Sequence, residues 1–279
     1  MKKIVVTGSS GKAGRSVVAY LLERGFTVLG VDLTQTTLYP EDENHRVIRA
    51  DLTDFSQTLE VLTGADAVVH LANIPAPGLF VPARTFLENN AMNYNVFSAA
   101  QTLGLKRVVW ASSETTLGLP FETPPRYAPV DEDHFPIPES SYALSKVVAE
   151  TMAKEFSRWS GIGFVGLRIS NIMELPDYAK FSGYQTDPQL RKWNLWGYVD
   201  ARDVAQACWL GLTKPIDGSQ NLIIAAADTV MNSPSRDLML EVFPGVPVSA
   251  NLGEFETLLS IDRAREVLGY APAYSWRNA

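Results

Sequence analysis

The stretch "KIVVTGSSGKAGRSVVAYLL", residues 3–22, limits what this chain can fold into more than any other. An apolar, β-branched run, Ile4 to Thr7, leads into Gly8. Gly11 and Gly14 follow at three-residue spacing, and a helical pattern begins there. A strand that turns through glycines into a helix collects free N–H groups and the helix's partial positive charge at one point. With no Cβ in the way, a pyrophosphate can approach that backbone closely. A glycine triplet also occurs in plain strand–helix turns, so its context decides.

The next apolar run, "TVLGVD", ends in Asp32, 18 residues after Gly14. A carboxylate there can accept hydrogen bonds from the ribose hydroxyls of a bound adenosine. It would repel a 2′-phosphate, which favours NAD over NADP. Arg15 argues the other way, because a cation after the last glycine could meet a 2′-phosphate. "ADLTD", residues 50–54, places Asp51 and Leu52 for contact with an adenine, with Thr53 or Asp54 free to cap the helix that follows.

Strand and helix patterns alternate over the first two-thirds. Further strands are expected at "RVIRADLTD", "ADAVVHLA", "KRVVWASS" and "GFVGLRIS", with helices near 12–24, 55–63, 84–103 and 141–159 and a proline-rich loop at 118–139. Short apolar strands separated by helices predict an α/β fold, a Rossmann-type doubly wound parallel sheet. From about 171 the pattern loosens, with prolines at 176, 188, 215, 234, 244, 247 and 272. The expected division is a nucleotide-binding domain over 1–170, to which 197–225 returns, and a small C-terminal substrate-binding lobe from 171–196 and 226–279. Both belong to one compact unit.

Composition narrows the function classes. The chain has 279 residues, 46% of them hydrophobic and 20% charged, enough for a large core. A net charge of −7 argues against nucleic acid or an anionic membrane as partner, though not against a small anionic substrate. One cysteine, Cys208, permits no internal disulfide and suits a reducing cytoplasm; packing is its expected role. "MKKIVVTG" does not read as a secretory signal, and no stretch is apolar for the roughly 18 residues of a membrane span. His45, His70, His134 and Cys208 form no metal-ligand pattern, so no metal is expected.

"SSYALSKVVAE" opens a helix with Tyr142 and Lys146 four apart on one face. A free tyrosine, pKa about 10, is a poor base at neutral pH. An adjacent ammonium stabilises its phenolate, which could then take a proton from a substrate alcohol while hydride leaves for a nicotinamide. Ser112 and Ser113 leave the fifth strand at its C-terminal end, where ligands of open α/β sheets bind. Either could hold the reacting oxygen, and either could simply cap a turn.

Together these segments resemble the extended short-chain dehydrogenase/reductase superfamily, the NAD-dependent epimerase/dehydratase family, and in character its uronate dehydrogenase-like members. "TGSSGKAG" is similar to the family's T-G-x-x-G-x-x-G turn and "HLAN" to its H-L-A-A segment. "NNAMNYNVFSAA" is similar to a family helix with asparagine at position 89, "ASSETTLG" to S-S-x-x-V-Y-G, and "YVDARDVAQA" to V-H-V-x-D-V-A-x-A. The match runs in order over about 1–212. The resemblance implies Ser113, Tyr142 and Lys146 as catalytic residues. It implies NAD held by Gly8, Ser10, Gly11, Lys12, Ala13, Gly14, Asp32, Leu33, Asp51, Leu52, Leu71, Ala72, Asn73, Asn89, Tyr142 and Lys146. It also implies a homodimer through the helices near 84–103 and 141–159.

Departures from the family pattern narrow the chemistry. Sugar-nucleotide dehydratases resemble T-D-E where this chain has Ser113-Glu114-Thr115, so dehydration is disfavoured. "LRISNIMEL" keeps Asn171 but lacks the Gly-Pro usual in epimerases, and the C-terminal lobe is short for a nucleoside diphosphate. Uronate dehydrogenases carry an arginine five residues before a tryptophan, as Arg191 and Trp196 are here, and in them that arginine lies near a sugar-acid carboxylate. The leading expectation is an NAD-dependent oxidoreductase acting on a sugar or sugar acid. Asn73, Ser113, Glu114, Asn171, Arg191 and Trp196 would line the substrate side. A nucleotide-sugar epimerase that retains its NAD is the alternative, and a non-enzymatic nucleotide sensor the third reading. In "RKWNLWGYVD", one of Trp193 and Trp196 is expected in the core and the other against the sugar, while Tyr198, Val199 and Asp203 read as framework.

Overall fold

The computed structural model describes residues 1–34 and 42–279. Its strands in chain order are β1 (Lys3–Thr7), β2 (Thr27–Asp32), β3 (His45–Arg49), β4 (Ala67–His70), β5 (Arg107–Ala111), β6 (Gly163–Ile169), β7 (Ile172–Met173), β8 (Val199–Asp200) and β9 (Ser219–Ile224). The helices are α1 (Lys12–Leu22), α2 (Phe55–Leu62), α3 (Pro82–Leu103), α4 (Ser141–Ser160), α5 (Ala201–Thr213), α6 (Ser235–Val242) and α7 (Asp262–Leu268). Seven strands form one parallel sheet in the order β3-β2-β1-β4-β5-β6-β9. β7 and β8 form a separate two-stranded parallel pair.

The order follows from the sequence pattern. Strands buried on both faces need helices on both sides, and right-handed crossovers distribute them. Alternate residues of each strand point to opposite faces. Ile4 and Val6 of β1, Val69 of β4 and Val109 of β5 pack with Val17, Leu21, Val204 and Cys208 of α1 and α5. Val5, Val68, Val108 and Trp110 pack with Val96, Phe97, Ala149 and Phe156 of α3 and α4. Phe97 centres that second face, edge-on to Trp110 at 5.5 Å and to Phe164 at 5.1 Å. Cys208 is fully buried in the first.

The chain winds outward from β1 to β3, then returns to place β4 on the other side of β1. At that reversal the loops after β1 and β4 diverge and leave a crevice at the strands' C-terminal ends. A hydrogen-bonded link braces its floor. Thr7 Oγ1 lies 2.7 Å from His70 Nδ1 and accepts from the Ala72 amide at 3.2 Å. Burial pushes the His70 pKa down to about 3, so the ring is neutral. A buried bidentate pair joins the layers beside it: Arg168 donates from Nε and Nη2 to the two Glu150 oxygens, both at 2.9 Å.

Candidate active site

A cleft of about 990 Å³ opens at this switch point, at the upper end of the range for small-molecule sites. The glycine turn forms one wall. Gly8 has φ +68°, and a Cβ there would lie 2.7 Å from the Ala72 amide nitrogen. A Cβ on Gly14 would overlap the Gly8 carbonyl oxygen. Both glycines are therefore required by the protein itself. Gly11 differs: it has φ −73° at the N-cap of α1, and a Cβ would meet only Gly8 O, at 3.4 Å. The fold would accept a Cβ at 11, so unlike Gly8 and Gly14 this glycine is not required by the packing of the turn. Ser10, Lys12 and Ala13 line the same wall.

Asp32 and Leu33 close one end of the cleft and Asp51 and Leu52 the floor beside it; Leu71, Ala72 and Asn73 lie opposite. Asp32 accepts from the Ser10 amide at 2.9 Å and the Thr34 amide at 3.2 Å. Asp54, not Thr53, caps α2, accepting from the Ser56 and Gln57 amides. Both polar atoms of the Asn73 side chain are buried without a protein partner. A buried unpaired amide costs about 1–3 kcal/mol, so its place on the cleft wall suits a polar ligand. The wall, the orphaned amide and the carboxylate at the β2 end all fit a dinucleotide.

Arg15 is occupied elsewhere. It donates to Ser10 O and to Glu174 Oε1, both at 2.7 Å. Lys12 pairs with Asp177 at 2.5 Å, so two ion pairs tie the glycine turn to the 3-10 segment Leu175–Tyr184. The arginine that could meet a 2′-phosphate is thus bonded to Ser10 O and Glu174, while Asp32 stands at the end of β2 on the cleft. Asp32→Ala is expected to raise the NADP-to-NAD ratio of kcat/KM by about tenfold or more, equivalent to roughly 1.4 kcal/mol of repulsion removed. An unchanged ratio in steady-state assays would remove Asp32 from that role.

The far wall carries Ser113, Glu114, Tyr142 and Lys146. The two serines separate. Ser112 Oγ donates to Glu150 Oε1 at 2.7 Å, joining the Arg168 pair. Ser113 Oγ accepts from Thr115 N and Oγ1 at 3.2 and 3.0 Å, and its hydroxyl works to lower the Tyr142 pKa. α4 is capped by Ser140, whose Oγ accepts from the Ala143 amide at 3.0 Å, so Tyr142 sits in the first turn, at the mouth of the cleft.

The expectation that Lys146 depresses the Tyr142 pKa is not met by the protein alone. Lys146 Nζ lies 5.5 Å from the Tyr142 ring centroid and donates to Ala111 O at 2.7 Å. Burial pulls the lysine down to about 7, opposed by Glu150. Burial, reinforced by the Glu114 charge, pushes Tyr142 up to about 12. In both groups burial is the largest influence and works against the charged form.

Three expected site residues do not face the cleft. Trp196 is fully buried, edge-on to Phe243 at 6.1 Å, and its Nε1 donates to Pro188 O at 2.8 Å. Leu195 and Trp196 both have left-handed backbone, φ 53° and 56°, which turns the tryptophan into the core. Trp193 is the one on the cleft wall, beside Asn171. Arg191 is 5% exposed and lies behind that wall. It donates to Asn171 Oδ1 at 3.1 Å and Gly197 O at 2.8 Å, between the faces of Tyr184 and Trp193. Asn89 is fully buried, and its amide grips the Ile74 backbone on both sides. It braces the Asn73 loop and does not line the cleft.

The sequence reading missed Arg84, Glu88 and Met92 of α3, which line the cleft. Their spacing of four along a helix was the available signal. It also missed Asn194, whose Nδ2 donates to Glu114 Oε1 at 3.2 Å and Gly197 O at 2.9 Å; nothing local in the sequence marks it. Tyr198 and Asp203 hold framework contacts, Tyr198 Oη donating to Asp228 at 2.6 Å and Asp203 accepting the Ala273 and Tyr274 amides. Among the described residues, no group of three or more side chains could hold a metal ion, and no helix is long and apolar enough to cross a membrane.

Comparison with known proteins is consistent with this geometry. A family model described as NAD dependent epimerase/dehydratase family matches residues 4–227. An NAD-dependent glucose-6-phosphate dehydrogenase of Haloferax volcanii is 27% identical over 183 residues, 61% of this chain and 69% of that protein. A UDP-glucose 4-epimerase of Streptococcus mutans is 25% identical over 311 aligned positions, 97% of this chain and 92% of that protein. Among solved structures, a mutated uronate dehydrogenase superposes with a TM-score of 0.72 at 20% identity, covering 99% of this chain and 83% of that one.

Proposed function

The chain belongs to the NAD dependent epimerase/dehydratase family and is an NAD-dependent enzyme, and we propose that it is a dehydrogenase of free sugars or sugar acids, oxidising a ring hydroxyl. One observation carries the choice of a free sugar over a nucleotide sugar. Among the described residues the cationic side chains on the cleft are Lys12, Arg84 and Lys146. Lys12 is paired with Asp177, Arg84 with Glu88 at 2.7 Å, and Lys146 is bonded to Ala111 O. A second pyrophosphate, beside that of NAD, would find each of these cations already bonded within the protein, whereas a free sugar needs none.

In this reading Tyr142, once ionised, takes the proton of the reacting hydroxyl at Oη as hydride leaves the same carbon for the bound cofactor, and Ser113 Oγ hydrogen-bonds the reacting oxygen to aim it. Lys146 binds the ribose of the cofactor. The walls from Gly8 to Gly14, Asp32, Asp51 and Asn73 hold the remainder. Bound NAD supplies the hydride acceptor. Its cationic ring is also the charge that would offset the burial of Tyr142. Trp193 and Asn171 form the substrate-side wall, carried by the lobe of 171–196 and 226–279. The reading includes a homodimer through the outer faces of α3 and α4, which expose Leu87, Tyr94, Leu144 and Trp159.

A second reading, the nucleotide-sugar epimerase, is favoured by the alignment spanning 92% of the Streptococcus mutans epimerase. Spectrophotometric assay of NADH with a panel of aldoses, uronates, aldonates and UDP-sugars separates the two. The dehydrogenase reading requires stoichiometric NADH from a free sugar. Interconversion of UDP-sugars with no net NADH would replace it with the epimerase.

A further inference from the structure

Glu114 is a carboxyl in the cleft wall that the proposed chemistry does not use. It is 3% exposed, next in sequence to Ser113. Its Oε2 accepts from Ser170 Oγ at 2.5 Å and its Oε1 from Asn194 Nδ2 at 3.2 Å. Burial pushes its pKa up to about 7, against those two hydrogen bonds and the positive charge of Arg191. Arg191 makes no direct ion pair with it. The two are joined through Asn194 and Gly197: Asn194 donates to both Glu114 and Gly197 O, and Arg191 donates to the same carbonyl. Arg191 Nε and Asn194 Oδ1 are buried without a partner.

We infer that Glu114 is a specificity-determining residue that occupies, as an internal counter-ion to Arg191, the place a substrate carboxylate would take, so that the enzyme selects neutral sugars over sugar acids. This rests on the dehydrogenase reading of the same cleft. A buried guanidinium requires an anion or a set of acceptors. Here Asn171 Oδ1 and Gly197 O accept from the two Nη groups and the nearby Glu114 supplies negative charge, while Nε is left without a protein partner. An incoming carboxylate would gain little from Arg191, whose Nη groups are already bonded, and would be repelled by Glu114 on the cleft wall once Glu114 is ionised, above about pH 7. A neutral sugar has no such conflict. Its hydroxyls can donate to the Asn171 or Asn73 side-chain oxygens, and its C–H face can lie on Trp193. Selection by a repulsive group placed against the wrong partner is a general device.

The test compares matched aldose and uronate pairs, glucose with glucuronate and galactose with galacturonate, in the wild type and in Glu114→Gln. Amide replacement keeps the size and, with the amide oxygen toward Asn194 Nδ2 and Ser170 Oγ turned to accept from the amide nitrogen, both partners, but removes the charge. The wild type is expected to show higher kcat/KM for each aldose that turns over than for its uronate. In E114Q the uronate-to-aldose ratio is expected to rise by about tenfold or more, carried mainly by KM. Because it is a ratio, general damage to the fold cancels. An E114Q ratio equal to that of the wild type overturns the inference. So does a wild type that prefers uronates, and that measurement stands even if the variant does not fold. No NADH from any sugar overturns the dehydrogenase reading and this inference with it.

Discussion

Replacing Tyr142 with phenylalanine is expected to lower kcat for sugar oxidation by about 10²–10⁴-fold, the range supplied by a positioned proton-transfer group. NAD binding should persist, because the glycine turn, Asp32 and Lys146 are untouched. The expectation is specific because Tyr142 is the group on the substrate wall with a hydroxyl at the mouth of α4 and Ser113 beside it. Phenylalanine keeps the ring and its packing. The lost hydroxyl should cost about 1 kcal/mol of stability, too little to confuse with unfolding. Single-turnover measurement with saturating NAD separates the outcomes. An unchanged rate of NADH formation would show that another group, with Glu114 on the same wall an ionisable candidate, takes the proton.

Much of the nucleotide half was legible because its signals are local. β2 begins and ends where "TVLGVD" does, since an apolar run bounded by Gly25 and a polar loop leaves few alternatives. α4 begins at Ser141 because Ser140 is a strong N-cap directly ahead of a helical period. The final strand of the sheet, β9, was placed only as part of a returning segment. "SQNLII" follows an irregular region, and its partner β6 lies more than 50 residues earlier. The substrate side was less legible for a related reason. Arg191 and the two tryptophans stand within six positions, but which of them meets the cleft depends on two left-handed residues, Leu195 and Trp196. Neither residue type announces that conformation. The fate of Arg191 depends on Gly197, reached only after the two left-handed residues, and on Asn171 and Glu114, which lie on other segments. Spacing alone could not show that its hydrogen bonds are already used.

The glycine turn yields the sharpest contrast between folding and binding. Gly14→Ala is expected to destabilise the protein by about 3 kcal/mol or more, because the added Cβ would overlap the Gly8 carbonyl and only backbone movement can relieve it. In thermal unfolding this corresponds to a Tm loss of roughly 6–12 °C. If the pyrophosphate binds over this turn, NAD affinity would fall with it, since the turn's N–H groups move together with Gly8. Gly11→Ala should behave oppositely. Its φ of −73° suits alanine, and the new Cβ meets the protein only at 3.4 Å. Stability should change by no more than about 0.5 kcal/mol. The methyl group would nevertheless stand where the ligand approaches the helix N-terminus, so the Kd for NAD should rise by about tenfold or more, measured by titration calorimetry. Undiminished NAD affinity in Gly11→Ala would mean that the pyrophosphate does not lie over this turn. A Gly14→Ala protein with wild-type Tm would mean that the backbone relaxes more cheaply than its contacts indicate. Together the two variants separate a glycine required by the chain from a glycine required by its ligand, a difference the G-x-x-G-x-x-G spacing does not reveal.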